Sequence, residues 1–427
     1  MTTSPRGARL AALLAGTAVA VPLLLAGPAG ATQPEAGDGG QLVLVGGSLA
    51  DDNAEVYGEI VERAGGADAR IGIITAAAVP ASQDPDAGTE DGNNSVDNGT
   101  YYADLLEGFG AGETTWIPLD LDHPEVAHDP AVVEQVGELT GFFFGGGDQY
   151  RYVTLMTEGP EQEDTPLLAA VRDRFEDGAV VAGTSAGMQI MAGANMVTGG
   201  ESWEALAAGS APGYFDDPTE LGYLPRGGFG FFASGLLDTH FGAWGRQGRA
   251  IRLASDTGEE RVFGVDPNTA LVVDHAGTDH EQLSVLGENG VNLLDLRDAR
   301  PRTSRGEWSI RGVRWSWLTD GDRYDAARRD VTPSAAAREL RPTVRGTDAR
   351  RTDVFSSLAG DGTEFVLSDL ARALASSKDR RTTGTTFETD PRFQVGLVEG
   401  PGFRAYTTDG SQASSYESLR VSVRATR

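Results

Sequence analysis

From residue 41 the chain alternates short apolar runs with longer stretches in which apolar residues recur every three or four positions. Residues 41–45 form such a run and end at Gly46-Gly47, which reads as a buried strand and a tight turn. Residues 52–64 then place Val56, Ile60, Val61 and Ala64 on one helical face, with Gly65 as the stop. The same alternation repeats with strands at 71–75, 115–119, 141–144 and 179–182. Between them, Tyr102, Leu105, Leu106 and Phe109 predict one helix, and Asp129-Pro130 caps another that carries Val132, Val133 and Val136. A further helix starts at Asp164-Thr165-Pro166 and carries Leu167, Leu168, Val171 and Phe175. Strands apolar on both faces that alternate with helices predict an α/β fold, a mostly parallel sheet with helices on both faces. Ligands on such sheets sit outside the carboxyl ends of the strands, which singles out the loops 46–51, 76–99, 145–149 and 183–187. Within the 76–99 loop, residues 79–99 are polar and acidic, as lids or ion-binding loops are.

Past residue 261 the pattern turns strand-rich, with short runs at 262–265, 270–273, 283–286 and 291–294. Beyond 326 the sequence predicts one helix at 364–375 and strands at 393–398 and 420–424. Charge also changes there. Residues 32–325 hold 17 basic and 50 acidic side chains, and residues 326–427 hold 16 and 13. The expected organisation is a signal peptide at 1–31, a catalytic domain at 32–325 and a C-terminal extension at 326–427. Arg6 and Arg9, the apolar stretch 10–26 and Ala29-Gly30-Ala31 have the order of a secretory signal with a small-x-small cleavage site. That predicts a secreted, extracellular protein with no membrane attachment after cleavage. The net charge of −28 argues against nucleic-acid and anionic-membrane partners. The absence of Cys excludes disulfides, cysteine–zinc sites and a thiol nucleophile. No metal or cofactor is expected.

Gly183-Thr184-Ser185-Ala186-Gly187 fits G-x-S-x-G. Alone the pattern is weak in so Gly-rich a chain. Here an apolar strand precedes it and an apolar stretch able to continue as a helix follows, the context that exposes a serine hydroxyl at a sharp elbow. Serine needs a base. Of the five His, His240 stands in Asp238-Thr239-His240-Phe241, between an apolar stretch and a basic helix.

Together with Gly46-Gly47-Ser48, Ile73-Ile74-Thr75-Ala76-Ala77, Phe144-Gly145-Gly146-Gly147-Asp148-Gln149 and Gly264-Val265-Asp266-Pro267-Asn268-Thr269-Ala270, these segments resemble the cyanophycinases of the S51 serine peptidases, in the family's order and over residues 41–325. The resemblance implies a class I glutamine amidotransferase-like, flavodoxin-like arrangement with a nucleophile elbow. It implies hydrolysis of cyanophycin, a β-linked aspartyl-arginine polymer, or of another aspartyl peptide, to dipeptides. Ser185 would be the nucleophile, His240 the base, and Glu204, after Met196-Val197-Thr198-Gly199-Gly200, the acid that orients it. Gly147 and Ala186 would supply the oxyanion amides. Gln149, Asp238, Thr239, Arg246 and Arg249 would hold substrate, the two arginines by clamping a carboxylate from one helical face. The family often dimerises, which makes a homodimer a candidate assembly. Two departures bear on substrate: Thr239 stands where the family has Gln, and Trp244 where it has the first of three arginines. The alternatives are a secreted α/β-hydrolase-type esterase and a catalytically decayed binding protein on the same scaffold. No His-Gly-Gly-Gly segment precedes Ser185, which counts against the esterase.

Overall fold

Each short apolar run becomes a strand and each helical-period stretch a helix. The computed structural model describes residues 39–346, 348–357 and 362–426; the signal-peptide reading of residues 1–31 lies outside them. β1 (Gly40–Val45) leads to α1 (Ala54–Arg63), β2 (Arg70–Ile74) to α2 (Ser95–Gly108) and β3 (Glu113–Ile117) to α3 (Pro130–Val136). β4 (Gly141–Phe144) leads to α4 (Gln149–Met156) and α5 (Pro166–Glu176). β5 (Val180–Thr184) turns into the single-turn helix α6 (Ala186–Gln189). The helices start where a side chain takes up a free backbone N–H: Asn53, Asn94, Asp129, Asp148 and Thr165 each accept from an amide of the first turn.

β1–β5 are parallel and lie in the order β3-β2-β4-β5-β1. Alternate residues serve opposite faces. Val43, Val45, Ile71 and Ile73 pack on α1 and α2, while Leu42, Leu44, Phe142 and Phe144 pack on α5. The order of β2–β5 matches the first four strands of the flavodoxin-like 2-1-3-4-5 sheet, but β1 is added beside β5 rather than placed near β2. The flavodoxin-like expectation therefore holds for part of the sheet only.

The second half of the chain contributes α7 (Ser202–Ala208), β6 (Leu236–Asp238), α8 (Gln247–Thr257), β7 (Arg261–Val265), β8 (Thr269–Ala276), β9 (Gln282–Gly287) and β10 (Gly290–Asp295). It continues with β11 (Glu307–Thr319), β12 (Arg323–Asp325), β13 (Asp330–Thr332), α9 (Val366–Ala375), β14 (Arg392–Thr407) and β15 (Ser415–Thr426). β8, β9, β12 and β13 extend the first sheet antiparallel from β1. The others build a second sheet in the order β6-β7-β10-β11-β15-β14, with only β6 and β7 parallel. The segment after residue 326 does not stand apart, since β15 lies between β11 and β14 and the described residues form one compact unit. Trp203 Nε1 donates to the Pro391 carbonyl at 2.9 Å, and Gln247 Nε2 to Ser368 Oγ at 3.2 Å. The change of charge near 326 reflects surface side chains, which say nothing about where a core ends.

In the acidic loop before α2, two of the carboxylates are taken up by the loop's own donors. Asp84 accepts from the N–H groups of Asp86 and Asn93 and from Asn94 Nδ2, and Asp97 accepts from the Gly88 N–H. Among the described residues no group of three or more His, Asp or Glu is placed to hold a metal ion, and no helix is long and apolar enough to cross a membrane.

Candidate active site

The carboxyl ends of β1, β4 and β5 converge with the end of β6, so the site lies where the two sheets meet. At the end of β5 the backbone reverses through Ser185, whose φ of 53° and ψ of −115° are unusual for a residue with a side chain. Two glycines permit the reversal. A Cβ on Gly183 would lie 2.3 Å from the Gly187 oxygen, and one on Gly187 would lie 2.0 Å from the Phe144 oxygen. The Ser185 N–H donates to the Val45 carbonyl at 3.0 Å, which ties the elbow to β1. Gln189, on α6, donates to the Leu237 carbonyl at 3.0 Å and ties it to β6.

His240 follows β6. Its N–H donates to the Gly46 carbonyl at 2.7 Å, and its Nε2 stands 2.9 Å from Ser185 Oγ. This is the geometry in which an imidazole takes the proton of an attacking serine. Burial, with Arg246 and Arg249 nearby, lowers the pKa of His240 to about 4, so the ring is a neutral base at neutral pH. Across the pocket, the N–H groups of Gly147 and Ala186 find no acceptor among the described residues. Both border the same cavity of about 170 Å³ as Ser185 and His240, so they are free to meet a developing oxyanion. Gln149 also borders it, its amide donating to the carbonyls of Val197 at 3.2 Å and Thr198 at 3.4 Å.

The predicted acid is not at the base. His240 Nδ1 is buried without a hydrogen-bond partner. Glu204 lines a separate cavity of about 700 Å³ with Glu201, Trp203, Phe355 and Glu388. The cause is helical phase. Ser202 is turned inward, its hydroxyl donating to the Gly245 carbonyl at 2.6 Å. Two residues further along α7 is a rotation of about 200°, so Glu204 faces away.

The two arginines share a helical face, and both border the cavity. Arg249 is buried and spent within the chain. Its Nε and Nη2 grip Asp238 at 2.9 and 2.5 Å, and its Nη1 donates to the Gly200 carbonyl at 2.8 Å. Asp238 is thereby spent too, and it also accepts from the Thr239 N–H at 2.9 Å. These two residues brace the loop that carries His240, and Arg249 also borders the cavity beside Ser185 and His240. Arg246 Nη1 donates to the Thr239 carbonyl at 2.8 Å, and Arg246 borders the cavity, as Thr239 does. Burial and Arg249 lower its pKa to about 9. The Trp244 ring is already occupied on its faces, with His240 stacked on it and the Arg246 guanidinium 4.6 Å from its centroid.

Two further positions emerge from the fold. Asp266 is fully buried, and burial raises its pKa to about 7. It accepts from the Gly242 N–H at 2.7 Å, from Asn292 at 3.0 Å and from Trp317 at 3.2 Å, holding the backbone just past His240. The sequence signal was an acid directly after the apolar run of β7. Gly47, at φ +99°, is the second, since a Cβ there would lie 2.2 Å from His240 Nε2. Gly47→Ala is expected to push the ring off Ser185 and lower kcat/KM about 100-fold, with the circular dichroism spectrum unchanged. Wild-type kinetics in this variant would show that the ring has room to spare.

No family model matches the chain. It is 30% identical over 309 residues to the cyanophycinase of Synechococcus elongatus, an alignment that covers 70% of this chain and 83% of that protein. The chain belongs to the cyanophycinase family. It is 29% identical over 295 residues to the cyanophycinase of Geminocystis herdmanii, covering 66% of this chain and 93% of that one. With the cyanophycinase of a Nostoc species it shares 28% over 242 residues, or 55% and 73% of the two chains. The crystal structure of a peptidase from an acI-B1 Actinobacterium aligns with a TM-score of 0.44 and 19% identity, over 66% of this chain and 96% of that one. Such a likeness is too low to carry an argument.

Proposed function

We propose that the protein is a secreted serine peptidase that hydrolyses cyanophycin, or a related aspartyl peptide, through Ser185 and His240. The observation that carries this reading is the 2.9 Å approach of His240 Nε2 to Ser185 Oγ at a strained elbow. Membership of the cyanophycinase family supports the substrate class. In the proposed reaction Ser185 Oγ attacks the scissile carbonyl carbon while Nε2 takes the hydroxyl proton. The amides of Gly147 and Ala186 receive the oxyanion. The imidazolium then gives its proton to the departing amine, which leaves an acyl-enzyme. Water, deprotonated by the same nitrogen, releases the acid product and restores Ser185. A second cavity, where Glu201, Asp353 and Glu388 outnumber Arg350 near Trp203 and Phe355, has the charge to suit a guanidinium side chain. The signal-like segment at 1–31 supports export.

The test is product analysis. The purified chain is incubated with cyanophycin, with other aspartyl peptides and with a nitrophenyl ester, and the products are read by mass spectrometry. The expected outcome is release of aspartyl-arginine dipeptide, abolished by prior treatment with a fluorophosphonate. Ester cleavage alone would point to an esterase, and inertness toward all three would point to a binding protein.

A further inference from the structure

For Nε2 to accept the Ser185 proton, the ring's own proton sits on Nδ1. Nδ1 is buried and bonded to nothing. A carboxylate usually holds such a ring in place, but here the nearby acids are committed elsewhere. Asp238 is held by Arg249, Arg246 and the Thr239 N–H. Asp266 is held by Gly242, Asn292 and Trp317. Glu204 lines the other cavity.

What does touch the imidazole is an aromatic face. The Trp244 ring lies 4.7 Å from the His240 ring, centroid to centroid, at an interplanar angle of 24°. Trp244 is itself fixed: its N–H donates to the His240 carbonyl at 2.9 Å, and the Arg246 guanidinium sits 4.6 Å from its ring. The Gly47 backbone closes on the Cε1–Nε2 edge of the imidazole. We propose that Trp244 is the positioning residue of His240, and that the base is held by stacking on this indole rather than by a hydrogen bond to a carboxylate.

The proposal rests on the reading of Ser185 and His240 as the reacting pair. Stacking restrains the rotation of the ring about its Cβ–Cγ bond, the task a carboxylate performs from the edge. The negative face of the indole also favours the imidazolium formed during proton transfer. The charged groups that face the ring are Arg246 and Arg249, which oppose that cation, and Asp238, which favours it.

The test compares Trp244→Phe, Trp244→Leu and Glu204→Gln in the full chain by two readouts. One is the NMR titration of His240 Cε1–H, assigned with a His240→Gln variant. The other is the rate at which a fluorophosphonate labels Ser185. In wild type the ring should titrate far below the ordinary histidine value, near 4. Losing the indole forfeits its attraction for the cation but admits water and relieves the burial, the largest cause of the low value, so in Trp244→Leu the titration should move up toward about 6.5. The labelling rate of that variant should fall about 10- to 100-fold. Trp244→Phe and Glu204→Gln should stay within about threefold of wild type in rate and keep the low titration. The proposal is overturned if the leucine variant keeps both the titration and the rate, or if Glu204→Gln falls as far as it does. Trp244→Met replaces the leucine variant if that one does not fold. If wild type is never labelled at Ser185, the proposed function fails, and the titration alone still decides whether Trp244 holds the ring.

Discussion

Ser185→Ala is expected to lower turnover of the aspartyl-arginine polymer by about 10⁴- to 10⁶-fold, the scale on which a serine nucleophile and its base act as a unit. The fold should survive. The Ser185 N–H bond to Val45 and the Gln189 N–H bond to the Ser185 carbonyl are backbone interactions that alanine keeps. The serine hydroxyl contributes only its contact with His240. A fluorophosphonate should add its mass to a peptide containing Ser185 in wild type and leave the variant unmodified. Modification at another serine would move the nucleophile, and an active Ser185→Ala variant would end the reading altogether. With Ser185 gone, His240 should still titrate at low pH, because burial rather than the hydroxyl is the largest cause of its shift.

Asp238→Ala is expected to cost about 3–5 kcal/mol of stability, because it leaves Arg249 as an uncompensated buried charge. Both side chains are almost wholly enclosed, at 3% and 6% exposure, so water cannot take over the role of the carboxylate. The damage should reach the site. Asp238 accepts from the Thr239 N–H, and Arg246 donates to the Thr239 carbonyl, so both restraints on the residue before His240 depend on this cluster. Denaturant unfolding should show a lowered midpoint, and kcat should fall even where the variant remains folded. Arg249→Leu, which removes the cation instead, leaves Asp238 with Arg246 alone and should also destabilise. If Asp238→Ala unfolds with the wild-type midpoint, the cluster is a substrate clamp, as the sequence had suggested, and not a brace.

The elements of the first half were legible because each carried a local signal. Asp129 and Thr165 capped helices at the expected starts, and β4 occupies the expected residues 141–144, whereas α2 begins after Asn94, inside what reads as loop. Ser185 and His240 were legible for a different reason. A strand–turn–helix around G-x-S-x-G is a local pattern, and with few histidines in the chain the choice of base was short. Glu204 was not legible. Spacing along the chain does not report helical phase, and a turn begun one residue earlier or later sends an acid to another cavity. The role of Arg249 was also hidden, because a guanidinium on a helix face looks the same whether its partner is a ligand or a buried aspartate 11 residues away.

By itself the sequence determined that strands and helices alternate from residue 41, that a serine stands at a sharp elbow, and that one histidine lies within reach downstream. Those are short-range facts, set by hydrophobic period, caps and glycine. Only the tertiary structure decided that β1 joins the sheet beside β5 and that the C-terminal hundred residues complete the second sheet. It alone showed that Asp238 and Arg249 neutralise each other, and that the imidazole meets an indole where a carboxylate was expected. These arrangements depend on pairing between residues far apart in the chain and on the rotation of each helix about its axis. Both are chosen by the burial of the whole core, and no local stretch of sequence encodes them.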